Sequence, residues 1–153
     1  RKRLFIGPKE MFATVPKMSI LLPLLAIITV YYAGSMFLNR GGFYINPDRN
    51  IPQLIVMFTI VAVQEELLFR GWFLNILAYA TTERKANLLS ALFFMLIHYP
   101  GWIIAAVPFV SFLVLSVSTF ILGIVFGWSF RKNHSIWTPI LLHMTWDVFS
   151  YLV

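Results

Sequence analysis

Residues 108–130 form a run of twenty-three positions with no Asp, Glu, Lys, Arg or His. A bilayer's hydrocarbon core is about 30 Å thick, and a helix needs about 20 apolar residues to cross it. The run therefore reads as a membrane span, and others like it surround it. The 153-residue chain is 59% hydrophobic and 12% charged, with a mean hydropathy of +0.80. Soluble domains carry about 25% charged residues. The surplus apolar surface has to face lipid, so the expected fold class is an all-α, polytopic transmembrane helix bundle.

Five spans are expected, at about residues 17–38, 52–80, 86 to at least 98, 108–130 and 135–153. Pro52 suits a helix start. Pro100-Gly101 is expected to break or end the third span, which leaves 99–107 open as a loop, a re-entrant piece or the end of that helix. Gly41-Gly42 and Asn46-Pro47 make 41–50 a turn-rich loop. The chain divides into residues 1–50, a basic flank with the first span and an external loop, and residues 51–153, the membrane core. Because the first residue is Arg, further spans are expected upstream, in a larger bundle.

Basic residues set the orientation. Arg1, Lys2, Arg3, Lys9, Lys17, Arg84, Lys85, Arg131 and Lys132 fall on one side of a five-span chain, and Arg40 and Arg49 on the other. The richer side should be cytoplasmic. This pattern, and not a nucleic-acid partner, accounts for the net charge of +6. The absence of cysteine excludes disulfides, thiolate metal sites and a Cys nucleophile. Trp72, Trp102, Trp128 and Trp137 read as interfacial anchors, Trp146 as a neighbour of the site, and His134 as a solvated loop residue. Gly123 and Gly127 form a GxxxG, read as helix packing.

Six ionisable residues remain inside the spans: Glu65, Glu66, Arg70, His98, His143 and Asp147. An Asp or Arg at a helix centre costs about 2.5–3.5 kcal/mol on insertion scales, so such groups are functional by default. The alternative is a structural ion-pair network. Glu66 and Arg70 are i and i+4 and should pair. Glu65 lies about 100° around the helix, away from Arg70, which leaves it available as a general base. His143 and Asp147 are i and i+4, so the carboxylate is expected to hold the imidazole in one tautomer. Phe94 and His98 share the same spacing, which puts an aromatic ring beneath the histidine. At 1.5 Å per residue the groups reach similar depths.

These residues spell Glu65-Glu66-Leu67-Leu68-Phe69-Arg70 (EExxxR), Phe94 to His98 (FxxxH) and His143 to Asp147 (HxxxD). In that order, each within a span, they resemble the CPBP family of intramembrane peptidases, which includes type II CAAX prenyl proteases and bacteriocin-processing or immunity (Abi-like) proteins. The resemblance covers about residues 51–153. It implies an intramembrane endopeptidase in which Glu65 and His98 activate the attacking water and His143 and Asp147 stabilise the oxyanion. Glu66, Arg70 and Phe94 are supporting residues. The family more often has Asn where this chain has Asp147. An ionised Asp cannot donate to an oxyanion, so Asp147 either keeps its proton or only orients His143.

No cofactor is expected. The alternative is zinc, held by Glu65, His98, His143 and Asp147, since family members are often labelled metalloproteases. The HExxH signature of zinc peptidases is absent. The expected partners are the lipid bilayer and a peptide or membrane-protein tail; no oligomeric state can be read. The expected setting is a bacterial cell membrane. Two other readings stand beside the peptidase. One is a proton-coupled transporter using the same groups as a relay. The other is a non-catalytic immunity or membrane-assembly protein of the same fold.

Overall fold

The computed structural model describes residues 5–43 and 50–152. Arg1, Lys2, Arg3 and Arg49, most of the expected loop at 41–50, and Val153 lie outside the described residues. Every described element is helical: α1 (Pro8–Ala13), α2 (Met18–Arg40), α3 (Ile51–Glu66), a π-helical segment (Leu67–Leu74), α4 (Asn75–Ala80), α5 (Glu83–Leu96), α6 (Tyr99–Ile104), α7 (Phe109–Asn133) and α8 (Trp137–Leu152).

Four stretches are long and apolar enough to cross a membrane: Met18–Arg40, Ile51–Ala80, Glu83–Ile104 and Phe109–Asn133. The fifth expected span corresponds to α8, which is shorter at 16 residues. Large apolar side chains point outward along the bundle, among them Val30, Leu38, Ile104, Phe109 and Val110. A surface of this kind is stable only against lipid.

Local chemistry sets the boundaries. Gly41 ends α2 with φ +70°, the left-handed C-cap that glycine adopts without strain. The Asn50 side chain accepts from the Gln53 N–H at the start of α3, and Thr82 does the same for Lys85 at α5. The break in the third span falls at Ile97-His98, before Pro100, and α6 then restarts with Pro100 in its first turn. A proline ring clashes with the carbonyl four residues back, which is that of Leu96, the last residue of α5. Residues 99–104 thus continue the span as a second short helix.

Two features have no counterpart in the 3.6-residue pattern. The second span widens into a π-helix one residue after Glu66. The other is the docking of residues 5–17 against the end of the bundle. Asn75, fully buried, accepts from the Ile6 N–H at 2.9 Å and donates to the Ile6 carbonyl at 3.2 Å. The Met11 carbonyl accepts from Ile136 N–H, the Thr14 carbonyl from Ser135 Oγ, and the Phe12 carbonyl from Trp137 Nε1. His134, read above as solvated, is exposed and faces Glu10, with Nδ1 2.7 Å from Oε1. Ile6, Met11, Leu74, Phe130, Ile136 and Ile140 form the core beneath this segment.

The docking gathers the basic segments at one end. Lys17 donates to the Lys132 carbonyl, and Arg131 pairs with Glu83. The GxxxG seats α7 on α5 within the chain. A Cβ on Gly123 would lie 2.9 Å from both Cα and Cβ of Ala91, and one on Gly127 would overlap the Asn87 side chain. This close approach fixes the height of α7 beside the motif-bearing helices.

Candidate functional site

Glu65 and Glu66 end α3, Arg70 sits in the π segment, His98 lies in the break after α5, and His143 and Asp147 project from the middle of α8. The fold brings all six ionisable residues together. Glu66 and Arg70 are fully buried and pair at 2.7 Å. Arg70 Nη2 also donates to the Gly123 carbonyl at 3.1 Å, and its guanidinium carbon lies 4.3 Å from the Phe94 ring centroid. The carboxylate, the carbonyl and the aromatic face each meet the planar cation, while its Nε is buried without a partner.

The two histidines are held alike. His98 Nδ1 lies 2.7 Å from the Phe94 carbonyl. A carbonyl only accepts, so Nδ1 carries the proton and Nε2 is the free nitrogen. His143 Nδ1 lies 2.9 Å from Glu66 Oε1. The carboxylate, paired with Arg70, is again an acceptor, so Nδ1 is the donor. The spacing predicts Asp147 as the group that fixes this tautomer, but Glu66 does it. Asp147 Oδ2 is instead 3.5 Å from His143 Nε2, on the opposite ring nitrogen. The reason is tertiary: α8 packs along α3, which brings His143 over Glu66.

Both free nitrogens face one atom. Glu65 Oε2 is 4.0 Å from His98 Nε2 and 3.9 Å from His143 Nε2. It is buried and has no hydrogen-bond partner. These gaps exceed a direct hydrogen bond and match the spacing of groups bridged by water. They also exceed the roughly 3.3 Å between ligands of a tetrahedral zinc. Among the described residues, no three His, Asp or Glu side chains are placed to hold a metal ion.

Phe94 is the hub of the packing. Its ring centroid lies 5.1 Å from that of His98, 5.6 Å from His143 and 5.3 Å from Phe69. Trp102, read as an interfacial anchor, packs on His98 at 5.7 Å, while Trp72, Trp128 and Trp137 lie exposed on the bundle surface. Trp146 stacks on Tyr31 and lines a cavity of about 50 Å³ with His98, Thr119, His143 and Asp147. Leu122, Phe126 and Trp146 also line an apolar cleft of about 330 Å³ beside it, between α2 and α7. Thr119 has no signal in the sequence, being one of several hydroxyls in an apolar helix.

Over residues 47–149, about two-thirds of the chain, the sequence matches the family model described as Type II CAAX prenyl endopeptidase Rce1-like. No curated protein and no solved structure matches the chain. The matched segment holds EExxxR, FxxxH and HxxxD together with three of the four long apolar helical stretches, and on these grounds this multi-pass membrane protein belongs to the Rce1-like family of type II CAAX endopeptidases.

Proposed function

We propose that the protein hydrolyses a peptide bond in a peptide or protein tail near the membrane, with Glu65 as general base. The observation that carries this reading is the convergence of two imidazole Nε2 atoms, each fixed through its Nδ1, on one unpartnered oxygen of Glu65. A water in the gap between Glu65 Oε2 and His98 Nε2 donates to both. Its oxygen bonds to the scissile carbonyl carbon as its proton passes to Glu65, and the carbonyl π pair moves onto the oxygen. His143, flanked by Glu65, Glu66 and Asp147, enters the cycle protonated from solvent, and its Nε2–H donates to that oxyanion and keeps its proton throughout. The C–N bond then breaks as Glu65 returns its proton to the amine nitrogen. The products are a carboxylic acid and an amine. Asp147 orients His143 from the Nε2 side, and Arg70 pairs with Glu66, the anchor of His143 Nδ1–H. The apolar cleft beside the cavity accommodates the apolar part of the substrate.

The test is cleavage of a panel of candidate peptides by purified protein in detergent. Glu65→Gln keeps shape and polarity but cannot take a proton, and should lower kcat by about 100-fold or more with an unchanged Tm. His98→Ala should resemble it. A folded Glu65→Gln protein that cleaves at the wild-type rate would remove Glu65 from the chemistry.

A further inference from the structure

The buried hydroxyls of this chain are nearly all engaged. Ser90 donates to the Phe69 carbonyl, Ser116 to that of Phe112, Ser129 to that of Phe126 and Ser135 to that of Thr14, while Thr138 accepts from Asn133. Thr119 is the exception. It is 9% exposed, and its hydroxyl makes no hydrogen bond among the described residues. It does not take the bond to the carbonyl four residues back that neighbouring Ser116 and Ser118 both form, the default for a hydroxyl in an apolar helix. Its side chain instead lines the small cavity together with His98, His143 and Asp147. An unpaired hydroxyl in an apolar span is unfavourable, and its position on the wall of this small cavity, beside His98, His143 and Asp147, gives it a partner only when something polar fills that cavity.

The titratable residues of the three motifs also leave the site short of a neutral donor. Glu65, Glu66 and Asp147 are carboxylates that only accept when ionised. His98 Nδ1–H is committed to the Phe94 carbonyl, and His143 Nδ1–H to Glu66. Of the five residues Glu65, Glu66, His98, His143 and Asp147, His143 Nε2 is then the one donor for the negative oxygen that forms in the reaction. An oxyanion is ordinarily met by two donors aimed at where charge develops.

We propose that Thr119 Oγ1–H is the second oxyanion donor of this site, contributed by α7, a helix that carries none of the three motifs. The assignment rests on the peptidase reading. As water attacks and the carbonyl π pair moves to oxygen, Thr119 donates a hydrogen bond to that oxygen without transferring its proton. The bond weakens when the C–N bond breaks and the C=O re-forms. Thr119 thereby supplies the neutral donor that an ionised Asp147 cannot.

The experiment compares Thr119→Val, which keeps the shape and removes the hydroxyl, with Thr119→Ser, which keeps the hydroxyl, on a peptide the wild type cleaves. Thr119→Val should lower kcat by about 100-fold, the scale of one oxyanion donor, with KM changed by less than about threefold and Tm unchanged, because the hydroxyl holds nothing in the resting protein. Thr119→Ser should keep kcat within about fivefold of wild type. If valine lowers Tm, Thr119→Ala against Thr119→Ser decides in the same way. Equal kcat for the hydroxyl-free and hydroxyl-bearing variants would overturn the assignment of Thr119 and leave the peptidase reading intact. A folded wild type that cleaves no peptide of the panel would overturn both.

Discussion

Arg70→Ala removes more than a charge. The wild-type guanidinium makes a 2.7 Å ion pair with Glu66, donates to the Gly123 carbonyl and lies on Phe94, all with no exposure to solvent. In the variant, Glu66 keeps the His143 Nδ1–H but loses its cation, and its second oxygen already lacks a partner. Breaking a buried pair from one side costs about 3–5 kcal/mol. For a chain of this length each kcal/mol moves Tm by about 2–4 °C, so the expected loss is roughly 6–20 °C. The assay is thermal unfolding of purified protein in detergent, followed by tryptophan fluorescence, beside the steady-state level in membranes. The double variant Glu66→Gln/Arg70→Met separates pair from site. Gln still accepts from His143 and no charge is left unbalanced, so it should recover at least half of the lost Tm. Arg70→Ala protein with wild-type level and Tm but no cleavage would refute the structural assignment and place Arg70 in the chemistry.

Strong chelation should leave wild-type cleavage intact; loss of activity restored by zinc would transfer the chemistry to a metal drawn in among Glu65, His98 and His143. Gly123→Ala places a Cβ against the Ala91 backbone, so unfolding measurements should show a loss of about 1–3 kcal/mol, whereas Gly34→Ala meets nothing within 4 Å and should be neutral or stabilising by up to about 1 kcal/mol. Because the chain has no native cysteine, single cysteines at Phe43 and Arg84 can be labelled cleanly with an impermeant reagent. They should react from opposite faces of the membrane, and labelling from the same face would break the five-helix topology.

The Glu66–Arg70 pair, the ring of Phe94 under His98 and the approach of α7 to α5 are written in i,i+4 spacings, which hold wherever a helix is regular. The break before His98 is nearly legible, since the proline four residues past Leu96 dictates it, although the pattern alone puts the break at the proline itself. What spacing does not carry is whatever depends on neighbours distant in sequence. Glu66 displaces Asp147 as the anchor of His143 because α8 lies along α3, and no periodicity encodes which helices pack together. The π segment after Glu66 is hidden for a related reason: its widened turn is stabilised by tertiary partners of Arg70 and Asn75, not by a local preference of Leu67–Leu74. Thr119 is illegible because its distinction is an absent hydrogen bond.

The clasp made by residues 5–17 bears on the order in which this chain can mature. Its partners Lys132, Asn133, His134, Ser135 and Trp137 lie 115 to 125 residues further along the chain. At translation rates of about 5–20 residues per second, the segment waits roughly 6–25 s at the membrane surface before its dock exists. Ile6 and Met11, buried in the finished protein, lack the part of their core that Phe130, Ile136 and Ile140 supply until those residues are made. A nascent chain stalled before α8 would therefore display the unfilled face of this segment to chaperones and membrane proteases, so the clasp reports that synthesis has reached the last helix.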